Sequence, residues 1–171
     1  MIDPNELLFS VDENNNSIKP QSRSYSHANR IWHRCTHIYI IKDNESKILC
    51  QKRSLLKDSN PGLWEPFFGG HLRPGQTYED GAIMELGEEL GLVIKKGQLK
   101  FVKEVKNDNH PEYIGVFTYS WSGDPSELNP EKDEVDEISF CSLEDIIKNV
   151  TDRSNEQWTY FGYGLEFLHR A

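Results

Sequence analysis

One stretch constrains this chain more than any other: Gly69-Gly70-His71-Leu72-Arg73-Pro74-Gly75-Gln76-Thr77, running on through Glu85, Glu88 and Glu89 to Gly91-Leu92. It reads as a glycine-bounded loop feeding a helix. The Thr77 hydroxyl can cap free backbone N–H groups, and Glu79 and Asp80 fall in the first turn, where the helix dipole favours negative charge. Gly91 suits a left-handed C-terminal cap. Ala82, Ile83, Leu86 and Leu90 share one side at helical spacing. Glu85, Glu88 and Glu89 stand at i, i+3 and i+4, spread over roughly 100° of one face. Three carboxylates on one patch repel each other, so the arrangement is poor local design unless a cation sits there. Hard oxygen ligands suit Mg2+ or Mn2+, which keep open positions for phosphate oxygens.

The rest of the chain supplies strands around that helix. Glu6–Val11 reads as a short strand, Asp12–Asn16 as a turn and Ile18 as the start of a return strand. Ser22–Asn29 is polar and fits a helical turn, so residues 1–30 form an arm or hairpin expected to pack on the sheet edge. In Ile31–Ile41, His37, Tyr39 and Ile41 alternate with Ile38 and Ile40 among β-branched and aromatic residues, which marks a strong strand. Lys47–Lys52 is its hairpin partner. A basic irregular segment, Arg53–Ser59, ends at Asn60-Pro61-Gly62. Beyond the helix, Leu99–Val105, Tyr113–Trp121 and Ile138–Cys141 read as strands, and the acidic loop 123–137 as solvated. Ser142 opens a helix to about Val150, and Glu156–Arg170 is expected to be a final, aromatic-rich helix despite Gly162 and Gly164. Strands on both sides of one helix, with a terminal helix for the other face, imply an α/β fold with a mixed sheet between helical layers.

Composition narrows function. A net charge of −9 argues against duplex nucleic acid or an anionic membrane as partner, but not against a small anion, because a bound cation inverts the local field. No apolar run is long enough to span a bilayer, and Met1-Ile2-Asp3-Pro4 does not read as a signal peptide. Cys35, Cys50 and Cys141 are odd in number and set among apolar residues, so reduced thiols and a cytoplasmic location are expected.

The central stretch resembles the Nudix box, Gly-x5-Glu-x7-Arg-Glu-apolar-x-Glu-Glu-x-Gly-apolar. Gly70, Glu85, Leu86, Glu88, Glu89, Gly91 and Leu92 match in register. Gln76 replaces the box Glu and Met84 the box Arg, which suggests an ion pair exchanged for a neutral contact. The resemblance implies one Nudix α/β/α sandwich over residues 1–171 and metal-dependent hydrolysis of a diphosphate linked to an organic group. Glu85, Glu88, Glu89 and the Gly69 carbonyl would hold Mg2+ or Mn2+. Glu85 would be the general base, with Glu88 or Glu112 as alternatives, and Glu131 and Glu134 are further carboxylates from outside the box.

A narrower resemblance covers roughly residues 5–150. Arg30-Ile31-Trp32-His33-Arg34, Gln51-Lys52-Arg53-Ser54, Lys57, Pro61-Gly62-Leu63-Trp64 and Gly70-His71 look like the Nudix branch that includes type 1 isopentenyl-diphosphate isomerase. In that branch histidines and glutamates hold a metal, and the approximate matches here are His27, His33, His71, His110 and Glu112. They imply a second, histidine-containing metal site, to which Zn2+ or Mn2+ is suited. Arg53 and Lys57 match diphosphate-holding positions, and Arg73 in the box loop is a further candidate. The isomerase's cysteine position is Gly69, so one of the two proton-moving partners of isomerisation is missing. Isomerase-like activity and a non-catalytic diphosphate-binding domain are the competing readings, the second motivated by Gln76 and Met84. The expected partner is a small-molecule diphosphate, nucleotide-type or prenyl, with a homodimer left open.

Overall fold

The computed structural model describes residues 3–42 and 47–159. Its elements are β1 (Leu7–Leu8), β2 (Gln21–Ser22), α1 (Arg23–Ala28), β3 (His33–Ile41), β4 (Lys47–Arg53), β5 (Trp64–Glu65), α2 (Tyr78–Leu90), β6 (Lys100–Asn107), β7 (Glu112–Ser120), a 3-10 turn (Pro125–Glu127), β8 (Val135–Ser142) and α3 (Leu143–Thr151). β3 runs parallel to β7 and antiparallel to β4, β6 is antiparallel to β7, and β4 is antiparallel to both β5 and β8. The sheet is therefore mixed.

The alternation within β3 separates the two faces of this sheet. Ile38 and Ile40 join Leu49, Phe68 and Phe117 beneath Ala82, Leu86 and Leu90 of α2. Cys35 and Tyr39 join Ile48, Cys50, Ile114 and Val116 beneath Ile146 and Val150 of α3. Helices thus cover both faces, the α/β/α arrangement expected. Among the described residues the second cover is α3. Of the expected final helix, Glu156–Arg170, residues 156–159 are a turn followed by a bridge in which Trp158 lies parallel to Trp64 of β5, and the remainder falls outside the described residues. Trp64 and Trp158 stack at 6.0 Å between ring centroids, so Trp64 closes the structure locally.

α2 ends as its sequence demands. The Thr77 hydroxyl accepts from Asp80 N–H while Asp80 reaches back to Thr77 N–H, and Gly91 terminates the helix in the left-handed region at φ 71°. Before the helix, residues 68–72 lie along β3. Ile38 bridges Phe68, Thr36 N–H donates to Gly70 O, and Cys35 bridges His71. The N-terminal arm lies against the same end of β3, where Arg34 N–H donates to Phe9 O and Ser10 bridges His33. It turns at Asn15 (φ 64°) and delivers α1, capped by Ser22. β8 starts three residues earlier than its apolar pattern indicates, at Val135, which is fully buried under α2. No helix among the described residues is long and apolar enough to cross a membrane.

Candidate active site

Two cavities, of about 610 Å3 and 770 Å3, meet at a seam formed by Arg23, Lys57, Gly69, Gly70 and His71, which line both. The first belongs to the α2 carboxylates. Glu85, Glu88 and Glu89 line it together with Asp3, Glu6, Arg73, Glu131 and Glu134. Glu89 is buried and accepts from Gly69 N–H at 2.9 Å. Among the described residues the Gly69 carbonyl takes no backbone hydrogen bond, which leaves it open to a cation. Burial pushes the Glu85 carboxyl up to about 8, and its neighbour Glu88 adds to the effect. Burial and Glu85 hold Glu89 well above the ordinary range. Crowded carboxylates of this kind are short of positive charge, so the donor set fits a divalent cation.

The acidic loop is not merely solvated. Asn129 and Glu131 donate their N–H groups to the carbonyls of Leu90 and Glu89 at the C-terminal end of α2, and Ser54 N–H donates to Glu134 O. That docking carries Glu131 and Glu134 into the carboxylate cavity, where Glu134 forms an ion pair with Lys57. Gly70 is as tight as the box glycine should be, since a Cβ there would sit 2.6 Å from Glu85 Oε1. Where the box has its Glu and Arg, Gln76 Nε2 donates to Met84 Sδ at 3.3 Å and Gln76 Oε1 accepts from Arg73 N–H at 2.6 Å. The exchange of an ion pair for a neutral contact, read from the sequence, is what the side chains make.

The second cavity is assembled by sheet register. His33 and Glu112 are partners across parallel β3 and β7, and the Cys35–His71 bridge sets His71 beside them. α1 brings His27. One ligand atom from each of His27, His33 and His71 lies within 4.8 Å of the others, and Glu112 Oε1 stands 3.7 Å from His33 Nε2 and 3.9 Å from His71 Nε2. His33 Nε2 is buried without a hydrogen-bond partner, the condition of an atom shaped for a ligand. Burial lowers His33 to about 4 and His71 to about 3, with His71 acting on the first and Arg23 on the second, so both rings are neutral as metal ligands must be. Burial lowers His37 to about 4, and its ring stacks on Phe67 at 3.8 Å.

Several expectations need correction. Glu112 belongs to the histidine cavity and does not line the carboxylate one, because its register ties it to His33. His110 is exposed on the β6–β7 turn and is not among the clustered ligand atoms. Arg53 lines the histidine cavity, yet its guanidinium is taken up by buried Glu65 at 3.0 Å, Ser59 O at 2.9 Å and Ser59 Oγ at 3.2 Å, which makes it a brace for the 53–62 loop. Arg73 is half-exposed at the cavity rim, paired with Glu6 and Glu88. Arg23 and Asp58 were missed. Arg23 donates to His71 Nδ1 at 2.8 Å and to Asp58 at 3.3 Å. The signal for it was its i, i+4 spacing to His27 on one face of α1.

A family model described as NUDIX domain matches residues 32–160. An uncharacterized Nudix hydrolase of Yersinia pestis is 35% identical over 145 residues, which is 82% of this chain and 75% of that protein. The isopentenyl-diphosphate Delta-isomerase of Serratia proteamaculans is 29% identical over 178 residues, covering 90% of this chain and 96% of that one. Among solved structures, DR0079 from Deinococcus radiodurans has the same fold with a TM-score of 0.78 at 17% identity, covering 96% of this chain and 98% of that chain.

Proposed function

The chain belongs to the Nudix domain family, and from that premise we propose that it hydrolyses a diphosphate linked to an organic group in a metal-dependent reaction. The observation that carries the reading is the convergence of Glu85, Glu88 and Glu89 with Gly69, Gly70 and Lys57 around one cavity. A divalent cation held by the three carboxylates and the Gly69 carbonyl supplies charge neutralisation and a more acidic attacking water. The chain's own residues do the rest. Lys57, at the seam, binds diphosphate oxygens directly and exchanges Glu134 for them. Water attacks phosphorus, the bond to the bridging oxygen breaks, and a glutamate takes the proton. Glu85 fits that role best. Glu88 is exposed and paired with Arg73, and Glu112 lies beyond the seam.

The backbone opposes isomerase chemistry. Gly69, where the isomerase's cysteine would stand, has φ 139°, and a Cβ on it would lie 2.0 Å from the carbonyl oxygen of Thr36. A thiol cannot be added there without moving β3 or the loop. A panel of nucleotide-sugar, dinucleotide, nucleoside triphosphate and prenyl diphosphates, assayed with Mg2+ and with Mn2+, tests the proposal. Turnover of a diphosphate bond by the wild-type chain, lost in Glu89→Gln, is the expected result, with no dimethylallyl isomer formed from isopentenyl diphosphate. Tight binding of a panel member without turnover would replace the hydrolase with a ligand-binding domain.

A further inference from the structure

Gln76 and Met84 leave the box without a charged pair between its loop and its helix, yet an arginine three residues earlier spans the same two elements. Arg73 Nη2, in the loop, donates to Glu88 Oε1 of α2 at 3.3 Å. Its Nε donates to Glu6 Oε1 of the N-terminal arm at 3.1 Å. The neutral side chain that replaced the box acid anchors this arginine, because Gln76 Oε1 accepts from Arg73 N–H at 2.6 Å and Gln76 N–H donates to Arg73 O at 3.1 Å. The arm is fixed against the same loop. Phe9 N–H donates to Leu72 O at 2.7 Å, and Arg23 N–H, at the start of α1, donates to Glu6 O at 2.8 Å. One guanidinium therefore ties together the loop, the helix and the arm.

The place of this pair changes what it can do. A pair between positions 76 and 84 would use none of the three α2 carboxylates that line the cavity, whereas Glu88 is one of them, and Glu6 and Arg73 line the same cavity. A carboxylate oxygen engaged by a guanidinium is not free for a cation, and a fixed positive charge beside the site repels one. Glu6 offers that guanidinium a second anion from an element that supplies none of the three. We propose that Arg73 is a metal-responsive relay, bridging Glu88 and Glu6 when the carboxylate site is empty and passing to Glu6 alone when a divalent cation takes Glu88. Arg73 and Glu6 are then positioning residues, which set the affinity for the cation without ligating it. The exchange also couples the carboxylate cavity to the arm, whose α1 places Arg23 and His27 in the histidine cavity. The relay rests on the reading of the α2 carboxylates as a cation site.

Mn2+ binding, followed by electron paramagnetic resonance of the free ion at low ionic strength, tests the relay without any substrate. The site scored is the one lost in Glu89→Gln. Arg73→Gln should tighten that site about threefold, the scale of a partly exposed ion pair. Glu6→Gln should loosen it about twofold, because Arg73 is then left with Glu88 alone. Combined with Arg73→Gln, the change at Glu6 should add nothing, since Glu6 acts only through Arg73. Both single effects should shrink at about 0.5 M salt, where exposed charges are screened. A Glu6→Gln loosening of the same size with and without Arg73 would mean that Glu6 acts on the cation by its own charge, and would overturn the relay. An Arg73→Gln site no tighter than wild type would overturn it as well, with the cation site left standing. Absence of any Glu89-dependent Mn2+ would instead remove the cation site itself, and the metal-dependent hydrolase reading and the relay would fall together.

Discussion

The two cavities that meet at Gly69–His71 are built in opposite ways. The carboxylate cavity takes Glu85, Glu88 and Glu89 from two turns of a single helix, entered by a tight glycine loop and capped at both ends. The histidine cavity takes His27, His33, His71 and Glu112 from four separate segments, placed by strand register and by one bridge between a loop and β3. Local geometry writes itself into residue spacing, because 3.6 residues per turn fixes which side chains share a face. Register does not, since nothing between His33 and Glu112 announces that they will be opposite each other.

The sharpest way to break this comparison is to neutralise one carboxylate in each cavity. Glu85→Gln should lower kcat by about 10²–10⁴, the range for loss of a general base. Glu112→Gln should cost less than about tenfold, because its oxygen faces His33 and His71 rather than the α2 carboxylates. Steady-state kinetics on the same substrate checks both. Equal losses would mean that the two cavities act as one catalytic unit and that the seam is not a boundary.

That division also explains what was legible beforehand. The caps at Thr77 and Gly91 and the apolar stripe of α2 were available from spacing alone, and the Gln76–Met84 contact from the resemblance to the box. The two faces of β3 were visible as an alternation. The fate of Arg53 was not, because a cation in a basic loop gives no hint that buried Glu65, twelve residues on, will claim it. Glu131 and Glu134 were named as carboxylates from outside the box, but not how they reach the cavity, which is by the docking of loop 129–134 on the last carbonyls of α2. The helix expected over Glu156–Arg170 failed at its start for a related reason. Backbone pairing of residues 157–159 with Trp64 outweighed helix propensity there, with Trp64 N–H donating to Gln157 O and Thr159 N–H to Trp64 O.

A smaller effect separates the cavities by their pH response. Glu85 titrates near 8 when folded against an ordinary 4.5, so the folded chain holds its proton longer than the unfolded one. That contribution is complete below about 4.5 and is lost as pH rises toward 8. His33, at about 4, works the other way. It favours the fold above the ordinary 6.5, and the benefit fades as pH falls toward 4. The two trends oppose each other between about 4.5 and 6.5, and only the carboxylates act from 6.5 to 8. The melting temperature without divalent metal should therefore decline over pH 6.5–8. Added Mg2+ should reverse the decline, and Glu85→Gln should remove much of it. A decline of the same size in Glu85→Gln would place its source outside the α2 patch.

The smallest effect concerns the departure from the box. Gln76 and Met84 make a contact of 3.3 Å between a neutral amide and a thioether, with Gln76 also holding the Arg73 backbone. Introducing both charges as Gln76→Glu with Met84→Arg creates a pair between the box loop and α2, where partly exposed pairs are worth about 0–1 kcal/mol. The single change Gln76→Glu adds a further anion to an acidic site and should destabilise slightly, while Met84→Arg alone meets Glu85, Glu88 and Arg73 at once. A double-mutant cycle by denaturant unfolding should return a favourable coupling below about 1 kcal/mol, with kcat altered less than by Glu112→Gln. The sign matters more than the size. Coupling near zero with unchanged kcat would mean that the neutral contact already orients the loop and helix as well as an ion pair does. A large gain in kcat would instead mean that Gln76 and Met84 mark a site set back from full activity, with the three carboxylates intact but loosely held.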